Sequence, residues 1–481
     1  MRPSTVRRLI PILVVAGVLV AMGLLRWSGQ LPFGSDNDEY LMVADRLRSF
    51  ESPLVAGVEG TKYPLGYPAL LAVIGWLHLP VAGTALVLNA LAVGATSALA
   101  ALAARRLWGG VAAFAAAGYV AANAGLWGSA FSVMPDTLLT LVMAAIVFVV
   151  VRSRGRHVAL LCLLVGLAAA LKSIGLVIGL GTSVGLLFAP RDVRRWAWAP
   201  VAVAVAMTAL MAFAVADLPD HTTGYAETFW LVNPYDASKG DVGVGGVLER
   251  LWTELDEGLR DVGWAVTGPQ VGVGVAQVLA VVMAGLGVAA LRGRRMLGLM
   301  IVLPYVAAVL VWPYSSIRFG LPLIPIAAIG VGFVVSRIRP VPVAAGLALA
   351  GLAALAVWSG AEAERAGHRD ADQLAAFHAA VDDFAGWASR NVRAGEEIAS
   401  PDYRELSHRL HRPVLPVGYT SDASDLWQAT GGRGADYFVF MNELVPRRVN
   451  IARHLLGSYK DRFQPVYENT LIEVYRIARR T

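Results

Sequence analysis

The sequence predicts a polytopic α-helical membrane protein of about eleven transmembrane helices, followed by a small C-terminal α/β domain outside the membrane. Three observations predict it. The 481 residues are 56% hydrophobic and 16% charged, with a mean hydropathy of +0.57. A soluble chain carries about 25% charged residues, so the apolar excess here exceeds what an ordinary core absorbs. Apolar runs of about 17–22 residues recur along the chain, and arginine is concentrated in every second loop between them.

The first run, 9–25, follows Arg2, Arg7 and Arg8 and ends at Arg26-Trp27 without a small-x-small cleavage site, so it reads as an uncleaved span with a cytoplasmic N-terminus. Further runs fall at 83–104, 110–126, 136–152, 157–172, 173–189, 197–216, 271–291, 297–312, 319–336 and 341–360. Threading them from a cytoplasmic start places Arg105-Arg106, "RSRGRH" (152–157), "RDVRR" (191–195), "RGRR" (292–295) and "SRIRP" (336–340) all on the inside. The expectation is a multi-pass protein of the cytoplasmic (inner) membrane. The net charge of +6 therefore belongs to topology-setting loops that meet anionic lipid, and nucleic acid is not an expected partner. Cys162 lies alone inside an apolar run, which excludes an internal disulfide.

The expected division is a transmembrane domain over 1–361, with external loops 26–82 and 217–270, and an extracytoplasmic domain over 362–481. In the first loop, "KYPLGYPALLAVIGWLHLP" (62–80) reads as one or two helices along the membrane surface. The tail alternates helical stretches such as "RELSHRLHR" with β-like runs "PVLPV", "DYFVFM" and "TLIEVYRI", the pattern of a small α/β layer. No internal repeat of the transporter kind is evident.

Polar residues gather on the outer side. "GSDNDEYLMVADRL" (34–47) begins a helix on which Asp36, Tyr40 and Ala44 share one face, with Asp38 and Glu39 beside them. Capping accounts for one or two of these acids but not for three. Lys62 and Tyr63 follow in the same loop. Asp136 opens the span after "MPD", Lys172 sits between two spans in "LKSIG", and Arg318 opens a later span in "RFGLPLIP". Taken singly, helix-start acids and snorkelling cations explain them. Only four lysines occur in the chain, and two of them are Lys62 and Lys172. Cations from separate segments on one membrane face invite a phosphate, and carboxylates invite a proton or hydroxyl. The run "VGVGG" (242–246) lacks a strand before it and reads as a loop. His408 and His411 read as a solvated helix face, without a third metal ligand nearby.

The set of motifs resembles the membrane glycosyltransferases of the GT-C fold, in particular the group that includes lipid A aminoarabinose transferases and protein O-mannosyltransferases. The likeness is carried by Asp36 with Tyr40 and Ala44, by "KYPLGYPALLA", "MPDTLL", "LKSIG" and "RFGLPLIP" in that order, and by the α/β tail. The resemblance implies transfer of a sugar from a polyprenyl-phosphate carrier to a glycolipid, polysaccharide or protein acceptor at the membrane surface. It implies Asp36 as general base, with Asp136 as a second catalytic carboxylate that orients the acceptor or holds a cation. Lys172, Arg318 and Lys62 would bind the donor phosphate, and Tyr40, Tyr63, Asp38 and Glu39 would contact substrate. A phosphate leaves readily as an anion, so a second carboxylic acid is not needed to protonate it. No cofactor is firmly implied, and a divalent metal stays open: Asp36, Asp38 and Asp136 could bind a hard divalent ion, although Lys and Arg can do the same electrostatic work. The alternatives are a transporter or flippase for a lipid-linked sugar and a non-catalytic glycolipid-binding scaffold. A transporter places its charges near the midplane on broken, repeated helices, whereas these charges sit at the outer ends of the spans.

Overall fold

The computed structural model describes residues 35–55, 59–153, 155–218, 229–232, 240–268, 271–312, 316–339, 375–417, 423–441 and 461–478, with single positions 343, 346, 456 and 459. The expected spans 9–25 and 341–360 lie outside or almost wholly outside these residues. The chain divides into two compact units: Met1–Leu31, Tyr63–Ala214 and Glu249–His368 in the first, and Pro32–Lys62, Val215–Leu248 and Arg369–Thr481 in the second.

The first unit is a bundle of apolar helices. Five, Val81–Trp108, Asp136–Ser153, Arg191–Phe213, Val273–Ala290 and Ile317–Arg337, are long and apolar enough to cross a membrane. Gly110–Ala121 and Ala124–Ala130 form a pair bent by 51° that also qualifies if taken as one span. Val158–Leu171, Gly175–Leu186 and Arg295–Val311 are shorter apolar helices at positions where the sequence predicts spans. "KYPLGYP" leads into one helix, Gly66–Trp76.

Helix Val81–Trp108 packs against Gly110–Ala121, Asp136–Ser153 and Ile324–Arg337. Its buried face is mostly alanine, with Gly94, Ser97 and Thr96 among the rest. Small residues let backbones approach where lipid supplies no hydrophobic drive between helices. One close approach of this kind joins Val273–Ala290 to Ile324–Arg337, where a Cβ on Gly330 would stand 2.8 Å from the Gly287 backbone nitrogen.

The stretch 217–270, which the sequence presents as an external loop, contains helix Leu255–Thr267. It opens with Asp256 and Glu257 and buries Val262, Gly263, Ala265 and Val266 against Val273–Ala290 and the 3-10 turn Ile317–Leu323. Its charged exposed face lowers its hydropathy below that of a span, which is why hydropathy alone passes over it.

The second unit contains a five-stranded sheet in the order Leu415–Pro416, Ile398–Ser400, Tyr437–Met441, Ile472–Ile477, Phe463–Glu468. The first three strands are parallel and the last two pair antiparallel. Tyr437–Met441 is buried throughout, and Phe438 and Phe440 join Leu426, Leu456 and Phe463 in one core. Helix 375–391 places Phe384 and Trp387 against Tyr467, and Trp387 also meets Tyr437. The α/β tail is thus present as expected, with two further strands. Ile398–Ser400 is too short to announce itself, and Phe463–Glu468 carries Pro465, which confines it to an edge with a register shift.

A Gly330→Ala substitution should destabilise the bundle by about 1–3 kcal/mol, whereas Gly285→Ala, with open space around position 285, should not. Thermal unfolding in detergent micelles would show the first variant melting earlier and the second unchanged.

Candidate active site

Asp136 is the first residue of helix Asp136–Ser153, directly after Pro135. A carboxylate at a helix N-terminus gains from the exposed amides there, but Asp136 is only 2% exposed and needs a cation as well. That cation is Lys172, whose ammonium bonds Asp136 Oδ1. Lys172 leaves helix Val158–Leu171 in extended conformation, and its side chain is also buried. The following turn folds back so closely that a Cβ on Gly175 would collide with the backbone of Ala168 and Ala169.

The glycine of "KYPLGYP" belongs to the same corner. A Cβ on Gly66 would stand 2.5 Å from the Ala170 carbonyl oxygen, so only glycine lets this segment lie against the turn that carries Lys172. Tyr67 is 1% exposed, and the buried Asn89 amide donates to the Ser132 carbonyl at 2.8 Å, just before "MPD".

The fourth motif, "RFGLPLIP", arrives through Phe319. The Lys172 ammonium stands 4.9 Å from the centre of its ring, and the Arg318 guanidinium stands 5.4 Å from the same ring. Arg318 Nη1 lies 3.2 Å from Met134 Sδ, in the "MPD" stretch. The Tyr305 hydroxyl fixes this turn by donating to the Phe319 carbonyl at 2.7 Å. The part of "KYPLGYP" from Tyr63 on, with "MPD", "LKSIG" and "RFGLPLIP", therefore meets in one corner of the first unit, and Asp136, Lys172 and Arg318 with it. Tyr63 is buried in the same unit. Phe319 and Met134 carry no charge; the sequence includes them in "RFGLPLIP" and "MPDTLL" but assigns neither a role.

The remaining expected site residues, Asp36, Asp38, Glu39, Tyr40 and Lys62, belong to the second unit. Asp36 and Asp38 lie in the first turn of helix Ser35–Arg48. Asp36 and Lys62 are half-buried, and Tyr40 is buried. Glu39, expected to contact substrate, is fully buried; Thr61 Oγ1 donates to its Oε1 at 2.8 Å, and Arg404 Nε stands 3.2 Å from its Oε2. The helix carrying Arg404, Tyr403–Leu410, packs against Ser35–Arg48 and buries Arg404, Glu405 and Ser407. This differs from the solvated face expected around His408, because the polar side meets another polar helix instead of water.

Burial pushes the Asp38 carboxyl up to about 6, against the pull of Arg409. Burial raises Glu405 well above the carboxylate range too, with Asp402 and Asp38 adding to it. Asp38 Oδ1 is 3.8 Å from His408 Nδ1, and burial and Arg409 hold that imidazole below its ordinary value. At neutral pH the two are thus neighbours rather than an ion pair. Among the described residues no three His, Cys, Asp or Glu side chains are grouped to hold a metal ion.

Apolar helices, a buried carboxylate–ammonium pair beside an arginine, and a C-terminal α/β layer are the parts that the motif resemblance to GT-C membrane glycosyltransferases leads one to expect. The chain belongs to glycosyltransferase family 87, whose sequence model matches residues 61–316, more than half of it, ending just before Arg318. Its structure is similar to ArnT from Cupriavidus metallidurans bound to undecaprenyl phosphate (TM-score 0.57, 16% identity, 97% of each chain). Apo ArnT is equally similar (TM-score 0.59, 14% identity, 98% of each chain). It is also similar to the archaeal oligosaccharyltransferase AglB from Archaeoglobus fulgidus, in complex with an inhibitory peptide and a dolichol-phosphate (TM-score 0.58, 12% identity, 98% of this chain and 74% of that one). No curated protein matches the sequence.

A raised carboxyl binds its proton more tightly folded than unfolded. Asp38 therefore contributes stability in full below its unfolded value of about 4, and that contribution is lost as pH rises through about 6. Asp38→Asn should consequently gain thermal stability relative to wild type as pH climbs from about 4 to about 7, and a stability difference independent of pH would contradict this.

Proposed function

We propose that this glycosyltransferase moves a sugar, with inversion, from a polyprenyl-phosphate carrier to a glycolipid, polysaccharide or protein acceptor on the outer face of the cytoplasmic membrane. In this reading the N-terminus is cytoplasmic and the tail domain extracytoplasmic. The observation that carries it is the meeting of Asp136, Lys172 and Arg318 around Phe319. Two cations beside an aromatic ring, at the outer ends of apolar spans, suit a lipid phosphate whose tail lies between the helices.

The donor's anomeric carbon loses its bond to phosphate oxygen while the acceptor oxygen or nitrogen bonds to that carbon. Asp36 takes the acceptor's proton as the new bond forms. The departing polyprenyl phosphate gains negative charge, which Lys172 and Arg318 stabilise, with Lys62 as a third phosphate ligand. Asp136 holds the Lys172 ammonium in place; one of its three N–H donors is spent there. A fixed ammonium costs no reorganisation at the moment of reaction, and that is the merit of a pre-paired cation. Tyr40, Tyr63 and Asp38 line the sugar and acceptor positions.

Purified protein in lipid vesicles, given a panel of undecaprenyl-phosphate-linked pentoses and hexoses with an envelope extract as acceptor, tests this reading. Asp36→Asn should lose about a hundredfold or more in turnover while still binding undecaprenyl phosphate, and Asp38→Asn should retain transfer. Donor binding with no turnover by the wild type, or Asp36→Asn matching it, would move the lipid-carrier transport reading to the front. Because the cations do the electrostatic work, transfer should persist in EDTA; loss of activity restored by a divalent ion would show that a metal is needed.

A further inference from the structure

Glu39 is the only residue of the expected site that is completely sealed from solvent. Its carboxylate joins three stretches of the second unit. Oε1 accepts from Thr61, the residue before Lys62, at 2.8 Å. Oε2 pairs at 3.2 Å with Arg404 in the tail domain. Arg404 is itself oriented, since its Nε donates to the Tyr403 hydroxyl at 2.8 Å and its guanidinium lies over the Tyr403 ring at 5.0 Å. Arg404 and Thr61 are both buried.

A buried ion pair is poor value as a stabiliser, because well-packed apolar residues in its place are often as stable or more so. What it supplies is direction. Glu39 is three residues beyond Asp36, so the two are about one turn apart and roughly 4.5 Å along the axis. Clamping Glu39 from two sides fixes both the rotation and the height of the turn that bears Asp36. We propose that Arg404 is a positioning residue for transfer: acting through Glu39, it sets the orientation of Asp36 and ties the Thr61–Lys62 segment to the same helix. The tail domain is thereby part of the catalytic apparatus. This rests on the reading of Asp36 as the base.

The full chain in lipid nanodiscs, assayed with the same donor panel, tests the proposal through kcat, donor KM, undecaprenyl-phosphate binding and thermal unfolding. Arg404→Met alone should melt earlier, since it strands a buried carboxylate. Glu39→Leu/Arg404→Met should recover the unfolding temperature yet stay about tenfold to a hundredfold down in kcat, with KM and undecaprenyl-phosphate binding unchanged. Arg404→Lys keeps the charge but not the planar fork, and should fold normally with an intermediate kcat. Wild-type kcat in both the double variant and Arg404→Lys would reduce the pair to a structural contact and overturn the proposal. Asp36→Asn, run alongside, separates the two failures. If it is active, the base reading falls and the proposal with it; if it is dead while the double variant is fully active, only the positioning role falls.

Discussion

The pairing of Asp136 with Lys172 is the constraint around which the membrane unit is arranged. Neither charge is tolerable alone in an apolar bundle, because each would carry a desolvation cost of several kcal/mol. Bringing them together requires the N-terminus of one helix and the end of another to meet, and the small residues nearby make that meeting possible. Gly66 lets a third segment approach the Ala170 carbonyl, and Gly175 lets the chain reverse immediately after the lysine. Phe319 then covers the ammonium with its ring face, which attracts cations without neutralising them. Charge and packing are thus one problem here: the arrangement that makes the charges tolerable also gathers Asp136, Lys172 and Arg318 in one corner.

Much of this was legible in the sequence, and the reasons differ by feature. Apolar runs revealed most of the helices because a bilayer imposes a length and a hydropathy that leave a plain trace. Val158–Leu171 and Gly175–Leu186 are nevertheless shorter than the runs 157–172 and 173–189 that contain them. Helix Leu255–Thr267 escaped because it is half charged, and hydropathy averages over both of its faces. Asp136, Lys172 and Arg318 stood out because ionisable residues are conspicuous in apolar surroundings. Phe319 and Met134 did not, since an aromatic or a methionine beside a span is unremarkable until its neighbours are known.

The second unit was less legible for a different reason. Glu39 and Arg404 are separated by most of the chain, and each sits in a polar stretch where a charge attracts no notice. Sequence spacing records neighbours along one helix but not across two. Position along the chain groups Glu39 with the substrate contacts, whereas in the fold its carboxylate is committed to Thr61 and Arg404. The polar pattern "RELSHRLHR" read as a water-facing surface for the same reason. A helix that buries charges against another charged helix looks, in one dimension, like a helix that buries nothing.

The sheet of the tail domain has a feature that bears on how such molecules live side by side. Its two outermost strands, Leu415–Pro416 and Phe463–Glu468, each contain a proline, Pro416 and Pro465. Proline offers no amide hydrogen to an incoming strand, and Phe463–Glu468 is further disrupted by its register shift. Proteins confined to a membrane plane meet edge-on at high local density, which is the geometry in which open sheets join into continuous ribbons. With a proline at either margin, the sheet ends where the chain ends it, and crowding brings these molecules together without splicing them.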